Sequence, residues 1–254
     1  MQLRIVTWNI FYGKELHKIL ESIKTNKDFA NIDFFAIQEA SVHEGIEDTQ
    51  RIAQTLGKEY DYFQVTAQES KGLAQANAII WNTKRVIVTN KEVLHLPNFT
   101  QVRLGNLEKT FKYLSKKEKR NSIIIEGTIE KKTFRIYAAH FDVIGFRLKT
   151  EQLRCVLEDD EKRNTVDFIC IAGDLNTFKI IKRPTWGVLK LLAQDHGFID
   201  ITSQINWTFH KKAIRFYQKT DSIFIKNNNP VSYFSMSSNI PGSDHIPIFA
   251  NIEM

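Results

Sequence analysis

Only two cysteines, Cys155 and Cys170, occur in 254 residues. That is too few for a disulfide framework, and Cys170 lies inside an apolar run where a buried, inert thiol is expected. A reducing cytosol fits this usage, so a cytoplasmic location is the expectation. No apolar segment approaches the roughly 20 residues needed to cross a bilayer, and no transmembrane segment is expected. The opening MQLRIVTWNI enters a strand-like pattern at once, without the basic stretch, long apolar core and small-residue cleavage site of a secretory signal. Nothing suggests linkers or repeats, and one domain over 1–254 is expected. Cys/His spacing of the kind that builds a closed zinc site is also missing.

What is present is ordinary globular material. Hydrophobic residues make up 43% and charged residues 25%, which excludes disordered and fibrous classes. Thirty-five Lys and Arg against 29 Asp and Glu leave a net charge of +6. This is a mild attraction for polyanions, and it equally suits a plain basic surface.

Along the chain, LRIVTWN reads as a strand, and Leu16, Ile19, Leu20 and Ile23 recur at helical spacing. IDFFAIQE reads as a buried strand, and EDTQRIAQTLG as an amphipathic helix stopped by Gly57. YDYFQVT, NAIIWN and RVIVTNKEVLHL follow as strands, and NSIIIEGTIEKKTFRIYAAHFD as a hairpin bending at Glu-Lys-Lys. Helices are expected from about Leu148 to Arg163 and from Trp186 to Gln194, with FICIAGD, TDSIFIKN and HIPIFANIEM as strands and a turn at Asn227 to Pro230. Strands outnumber helices and many are adjacent hairpins. The expected class is α/β, with two packed mixed sheets flanked by helices in a four-layer α/β/β/α sandwich.

Polar residues able to hold metal or phosphate recur where these strands end or begin: Asn9, Glu39, His140, Asp174 with Asn176, Asp221, and Asp244 with His245. A single carboxylate in such a place is more often a cap or a turn former. Repetition in one setting points to a shared crevice, because strand ends in packed sheets converge. Glu39, with the Asn9 amide oxygen, suits a hard cation such as Mg²⁺. A metal ion beside two histidines and an Asp-X-Asn pair suits water attack on a phosphodiester. Histidine can fill either proton role near neutral pH, and Asp221 is the candidate partner that orients His245. In an extended chain, Asp174 and Asn176 would point to the same side.

The motifs TWNI, IQE, NAII, AHFD followed by RLKTEQL, GDLN, TDSIFI and GSDHIPI stand in the order found in the endonuclease/exonuclease/phosphatase superfamily. The chain resembles that superfamily, whose fold is like that of deoxyribonuclease I, from Val6 to Ile248. The resemblance implies a metal-dependent phosphodiesterase, with Asn9 and Glu39 as the metal pair and Asp244 contributing to the metal from the other side. It implies that Asp174 and Asn176 orient or deprotonate water and hold the phosphate. His245, steadied by Asp221, and His140 become the phosphate-contacting histidine pair, and Asn77 a phosphate-side amide. Mg²⁺ is the implied cofactor, with Mn²⁺ as a substitute.

TWNIFYG departs from the Trp-Asn-Val-Asn-Gly of the abasic-site endonuclease branch, and FYQKTDSIF from the Pro-Ala-Trp-Cys-Asp-Arg signature of the inositol-phosphatase branch. A nuclease on DNA or RNA is the first expectation. A sphingomyelinase-like phospholipid-headgroup phosphodiesterase is the second, and a non-catalytic polyanion-binding module the third. Lys109, Lys112, Lys116, Lys117, Lys119 and Arg120, around Phe111 and Tyr113, form a basic run. Such a run suits a nucleic-acid backbone, an anionic membrane or a solvated loop alike. Arg120 is taken as its substrate-binding residue. Trp207 and Phe209 are candidates for lining the cleft or for anchoring a loop.

Overall fold

Leu3 and Ile5 fall on one face of the first strand, Val6 and Trp8 on the other, and all four are buried. Such a strand must be covered on both sides, and the architecture supplies both covers. The structure, a computed structural model, describes residues 1–70, 72–102, 118–178 and 185–254. Most of the basic run, including Lys109, Phe111, Lys112, Tyr113, Lys116 and Lys117, lies outside them.

The long strands and their short companions are, in chain order, β1 (Gln2–Asn9), β2 (Phe34–Ala40), β3 (Val42–His43), β4 (Ile46–Glu47), β5 (Tyr60–Ser70), β6 (Leu73–Asn82), β7 (Val86–His95) and β8 (Asn121–Ile129). They continue as β9 (Lys132–His140), β10 (Phe168–Asp174), β11 (Ile199–Asp200), β12 (Phe209–Lys211), β13 (Phe216–Gln218), β14 (Asp221–Asn227), β15 (Ser232–Ser237) and β16 (Ile248–Glu253). The helices are α1 (Leu16–Thr25), α2 (Asp48–Leu56), α3 (Phe146–Lys162) and α4 (Thr185–Asp195).

Two six-stranded sheets run β15-β16-β1-β2-β6-β5 and β11-β14-β10-β9-β8-β7. Each contains one parallel pair, β1 with β2 and β9 with β10, among antiparallel neighbours. Ile5, Phe34, Ile79, Ile123, Ile136, Phe168, Cys170 and Ile223 fill the seam between the sheets. Helices α1 and α2 cover the outer face of the first sheet, packing Leu16, Ile19 and Ile52 on Val6, Trp8 and Ile37. Helices α3 and α4 do the same for the second, with Leu153, Leu157 and Leu189 on Tyr137, Ile169 and Ile171. Full burial of each such aliphatic or aromatic side chain contributes about 1.5–3 kcal/mol. This is the expected four-layer sandwich.

Local differences have local causes. The β8–β9 bend uses two residues, Glu130 and Lys131, both at positive φ, as a tight hairpin turn with matching twist requires. Strand β15 was not expected: SYFSMS exposes Ser232, Tyr233 and Phe234 at a sheet edge, so it lacks the apolar run of a buried strand. Gly173 has φ 152°, and a Cβ there would sit 1.9 Å from the Ala139 carbonyl oxygen. Only glycine permits β9 and β10 to approach so closely beside Asp174.

Beneath the loop that follows β1, Asp48 is fully buried against Gly13. It accepts the Ser41 N–H on Oδ2, and Oδ1 has no hydrogen-bond partner. Burial, partly offset by the Ser41 N–H and by His43, raises its pKa to about 6. Because the folded value lies above the unfolded one, the stability involved is present below about pH 4 and is lost as pH rises through about 6. Asp48→Asn is therefore expected to flatten that part of the stability profile and to raise stability at pH 7–8 by on the order of 1–2 kcal/mol. Urea titrations of both proteins at pH 4 and pH 8 check this.

Candidate active site

The period-two face that fills the seam with apolar residues ends, strand by strand, in polar ones. Leu3 and Ile5 lead to Thr7 and Asn9, Ile136 and Ala138 to His140, and Cys170 and Ala172 to Asp174. Ile223 is preceded by Asp221, Ile79 by Asn77, and Ile123 by Asn121. The two parallel pairs finish at the same end of the seam, and Asp174 is in register with both His140 and Asp221. This end of the core is therefore a buried polar cluster built from both sheets.

Within it, Asn9 Nδ2 donates to Asp174 Oδ2 at 2.9 Å across the sheets, and the Asn176 N–H donates to Asp174 Oδ1 at 2.9 Å. His140 Nε2 and His245 Nε2 each lie 3.8 Å from Asp174 Oδ2. His245 Nδ1 is 2.8 Å from Asp221 Oδ2, which also accepts the Thr220 hydroxyl at 2.8 Å. Glu39 Oε1 stands 3.8 Å from His140 Nε2. The loop carrying His245 is tied to β1 by Ser243 Oγ donating to the Asn9 carbonyl and Trp8 Nε1 donating to the His245 carbonyl.

The histidines are driven apart electrostatically. Burial, then the Arg120 charge, then His245 hold His140 well below the usual imidazole range, so it stays neutral. Burial also pulls on His245, but Asp221, Asp174 and Asp244 outweigh it and raise it to about 10. Burial and the neighbouring Asp221 push Asp174 up to about 7, against His245, Asn9 and the Asn176 N–H. Glu39 is raised by burial, and Asp244 adds to that while His245, Arg120 and Asn9 oppose it.

Several residues sit differently from a regular reading. Strict alternation along β2 would place Glu39 opposite to Ala36 and Gln38, toward the helices. A bulge between Gln38 and Ala40, with Glu39 at φ 54°, turns it toward His140 instead. Asn176 does not share an extended strand with Asp174: at φ 51° it has left the ladder, and its Nδ2 donates to the Phe141 carbonyl. The same-side rule therefore fails at the last two positions. Asn9 Oδ1 accepts the Phe11 N–H. Asn77 gives its Nδ2 to Asn121, leaving its buried Oδ1 without a partner. Asp244 is partly buried. Arg120 is buried rather than solvated, with Nη1 3.1 Å from each ring nitrogen of His140 and Nη2 2.5 Å from Glu118.

Sequence reasoning passed over Thr220 and Gln75, the latter donating to Glu39 Oε1 at 3.2 Å. No local pattern marks either. Phe209, a candidate cleft residue, places its ring 5.0 Å from that of His245. It belongs to an aromatic group with Phe216 and Phe178, and Trp207 and Tyr217 meet edge to face nearby.

The donors fit a hard divalent cation. Glu39 and Asp244 are carboxylates close enough that, after burial, the Asp244 charge adds to the rise in the Glu39 pKa, a repulsion that a bound cation would relieve. Asp174, Asp221 and His245 also bring ligand-type atoms within 4.8 Å of one another. There, however, the His245–Asp221 hydrogen bond occupies Nδ1 and one carboxylate oxygen.

No protein-family profile matches the sequence, and no curated protein matches it. Solved structures do match. An endonuclease/exonuclease/phosphatase from Bacteroides vulgatus is similar at TM-score 0.74 and 16% identity, over 100% of this chain and 99% of that one. TDP2 of D. rerio, complexed with a single-strand DNA product, is similar at TM-score 0.71 and 16% identity over 100% and 99%. A mannosyl-6-phosphatase from Bacteroides thetaiotaomicron is similar at TM-score 0.70 and 15% identity over 99% and 100%. The ordered motifs, the paired six-stranded sheets and these likenesses agree: the chain has the endonuclease/exonuclease/phosphatase fold.

Proposed function

We propose that the chain, acting as one domain, is a metal-dependent phosphodiesterase that hydrolyses a strand of DNA or RNA. One observation carries this: the Asp174 carboxylate lies 3.8 Å from each of two histidines, with Glu39 alongside. Held by Asn9 and the Asn176 N–H, with a pKa near 7, Asp174 is oriented and poised to take a proton from water. The water oxygen bonds to phosphorus as the bond to the leaving oxygen breaks. His245, kept charged by Asp221, offers positive charge and a proton to that side of the phosphate. His140 hydrogen-bonds a non-bridging oxygen, and Arg120 behind it adds fixed positive charge. Asn77 and Asn176 keep the phosphate side of the pocket polar. Magnesium, or manganese in its place, held by Glu39 with Asn9 and Asp244 beside it, would neutralise charge on the phosphate oxygens.

Nucleic acid is favoured by the basic balance and by the aromatic hairpin at His245, since aromatic side chains near a basic surface stack single-stranded bases. The DNA-bound neighbour supports the same substrate class. A panel of single-stranded DNA, duplex DNA, RNA, sphingomyelin, phosphoinositides and sugar phosphates, with Mg²⁺ or Mn²⁺, tests the proposal. Strand cleavage that EDTA abolishes and either ion restores is the expected result. Turnover of sphingomyelin or a sugar phosphate alone would move the assignment to a headgroup diesterase or a phosphomonoesterase. Full activity in EDTA would refute it.

A further inference from the structure

A line of amides ends on Glu39 Oε1, the oxygen that also faces His140 Nε2. The Lys119 N–H donates to Gln68 Oε1 at 2.8 Å, Gln68 Nε2 donates to Gln75 Oε1 at 2.6 Å, and Gln75 Nε2 donates to Glu39 Oε1 at 3.2 Å. Both ends of the line are chemically fixed, because a backbone N–H can only donate and a carboxylate can only accept. Each glutamine is therefore locked in one orientation, head to tail.

The backbone is shaped for this line. β6 is flanked by two register shifts at one place: in β2 between Gln38 and Ala40, and in β5 between Thr66 and Gln68. The first turns Glu39 into the cleft, and the second brings Gln68 opposite Gln75. Gln75 is 4% exposed, so its amide is withdrawn from water and held by its two partners. The residue after Lys119 is Arg120, which touches His140, and His140 Nε2 lies 3.8 Å from Glu39. The amide line thus closes a ring from Glu39 through Lys119 and Arg120 back to His140.

We infer that Gln75, backed by Gln68, is a positioning residue for the metal carboxylate: it fixes one oxygen of Glu39 so that the other is presented to the cation, and it joins that carboxylate to the chain segment entering β8. This rests on the metal-dependent reading above. Outer partners that orient a ligating carboxylate are typically worth 10–100-fold in metal affinity.

The test is direct Mn²⁺ binding, measured without substrate from the electron paramagnetic resonance signal of free Mn²⁺. It compares the parent, Gln75→Leu, Gln68→Leu, the double variant and Glu39→Ala. Gln75→Leu is expected to weaken Mn²⁺ binding about 10–100-fold. Gln68→Leu should weaken it less, because Gln75 still reaches Glu39. The double variant should bind no worse than Gln75→Leu alone, the non-additivity of residues acting in series. If leucine at the buried position prevents folding, Gln75→Asn, polar but too short to bridge, decides in its place and should show the same loss. Parent-like Mn²⁺ affinity in Gln75→Leu or Gln75→Asn, with binding lost in Glu39→Ala, overturns the inference and leaves the metal reading standing. Parent-like affinity in Glu39→Ala overturns both.

Discussion

Asp174→Asn is expected to lower the cleavage rate by about 10³-fold or more while leaving the fold in place. Loss of a positioned general base alone accounts for about 10²–10⁴. Asp174 Oδ2 also lies 3.8 Å from a ring nitrogen of each histidine. A factor of 10³ corresponds to about 4 kcal/mol of transition-state stabilisation. Stability should change little. The substitution removes a carboxylate that is 1% exposed and reluctant to ionise, but it turns an amide N–H₂ toward the donating Asn9 Nδ2. The two effects oppose each other, so the melting temperature should hold within a few degrees.

The pH profile separates this role from a merely structural one. With Asp174 titrating at about 7, parent activity should fall about tenfold per unit below pH 7 as the base is protonated. It should fall again above about 10 as His245 loses its proton. In Asp174→Asn the acidic limb should vanish and the basic limb should remain but move to lower pH, because the Asp174 charge no longer helps hold the His245 proton. An acidic limb that survives the substitution would assign it to another group and remove Asp174 from the base role.

How far the molecule could be read in advance follows from the kind of interaction involved. The long strands were legible because residues such as Phe34 to Ile37 and Phe168 to Ala172 are apolar on both faces, and only a sheet covered on both sides accepts such runs. Helix α1 was legible from Leu16, Ile19 and Ile23, which all meet the first sheet. The polar residues at strand ends were legible as candidates, since period-two alternation continues from the core into the pocket. Alternation stops being informative where the backbone stops being regular. Glu39 and Asn176 both sit at positive φ, and their aim is set by a bulge and by a turn that no local pattern announces. Arg120 ended a basic run and looked like a solvated or backbone-tracking charge. Its burial against His140 depends on where β8 begins relative to β9, which is a matter of sheet register. The relay from Gln75 needs two bulges at once, so residues 39, 68, 75 and 119 carry no joint signature in the chain.

Arg135→Met is expected to cost about 3–5 kcal/mol of stability. Arg135 is 1% exposed. On the helix-covered face of β9, its Nε donates to Glu126 at 2.6 Å, Nη1 to Asp160 Oδ1 at 2.6 Å, and Nη2 to the Asn164 carbonyl at 2.7 Å. Asp160 belongs to α3, and its other oxygen takes Lys226 of β14 at 3.3 Å. One guanidinium thus joins two neighbouring strands to the helix that packs over them. Removing it leaves the Asp160 carboxylate, 4% exposed, with a single longer partner, and a stranded buried charge costs more than the intact pair ever contributed. The same argument predicts a rescue: Arg135→Met combined with Glu126→Leu and Asp160→Leu should recover most of the loss, since no buried charge is then left unpaired, while the partly exposed Lys226 reaches water. Urea unfolding of the single and triple variants measures both, with the midpoint shifting and the slope unchanged if the effect is on native stability. A loss below about 1 kcal/mol in Arg135→Met would mean that water already solvates this cluster. A triple variant as unstable as the single one would mean that the guanidinium stabilises α3 by shape and not by charge.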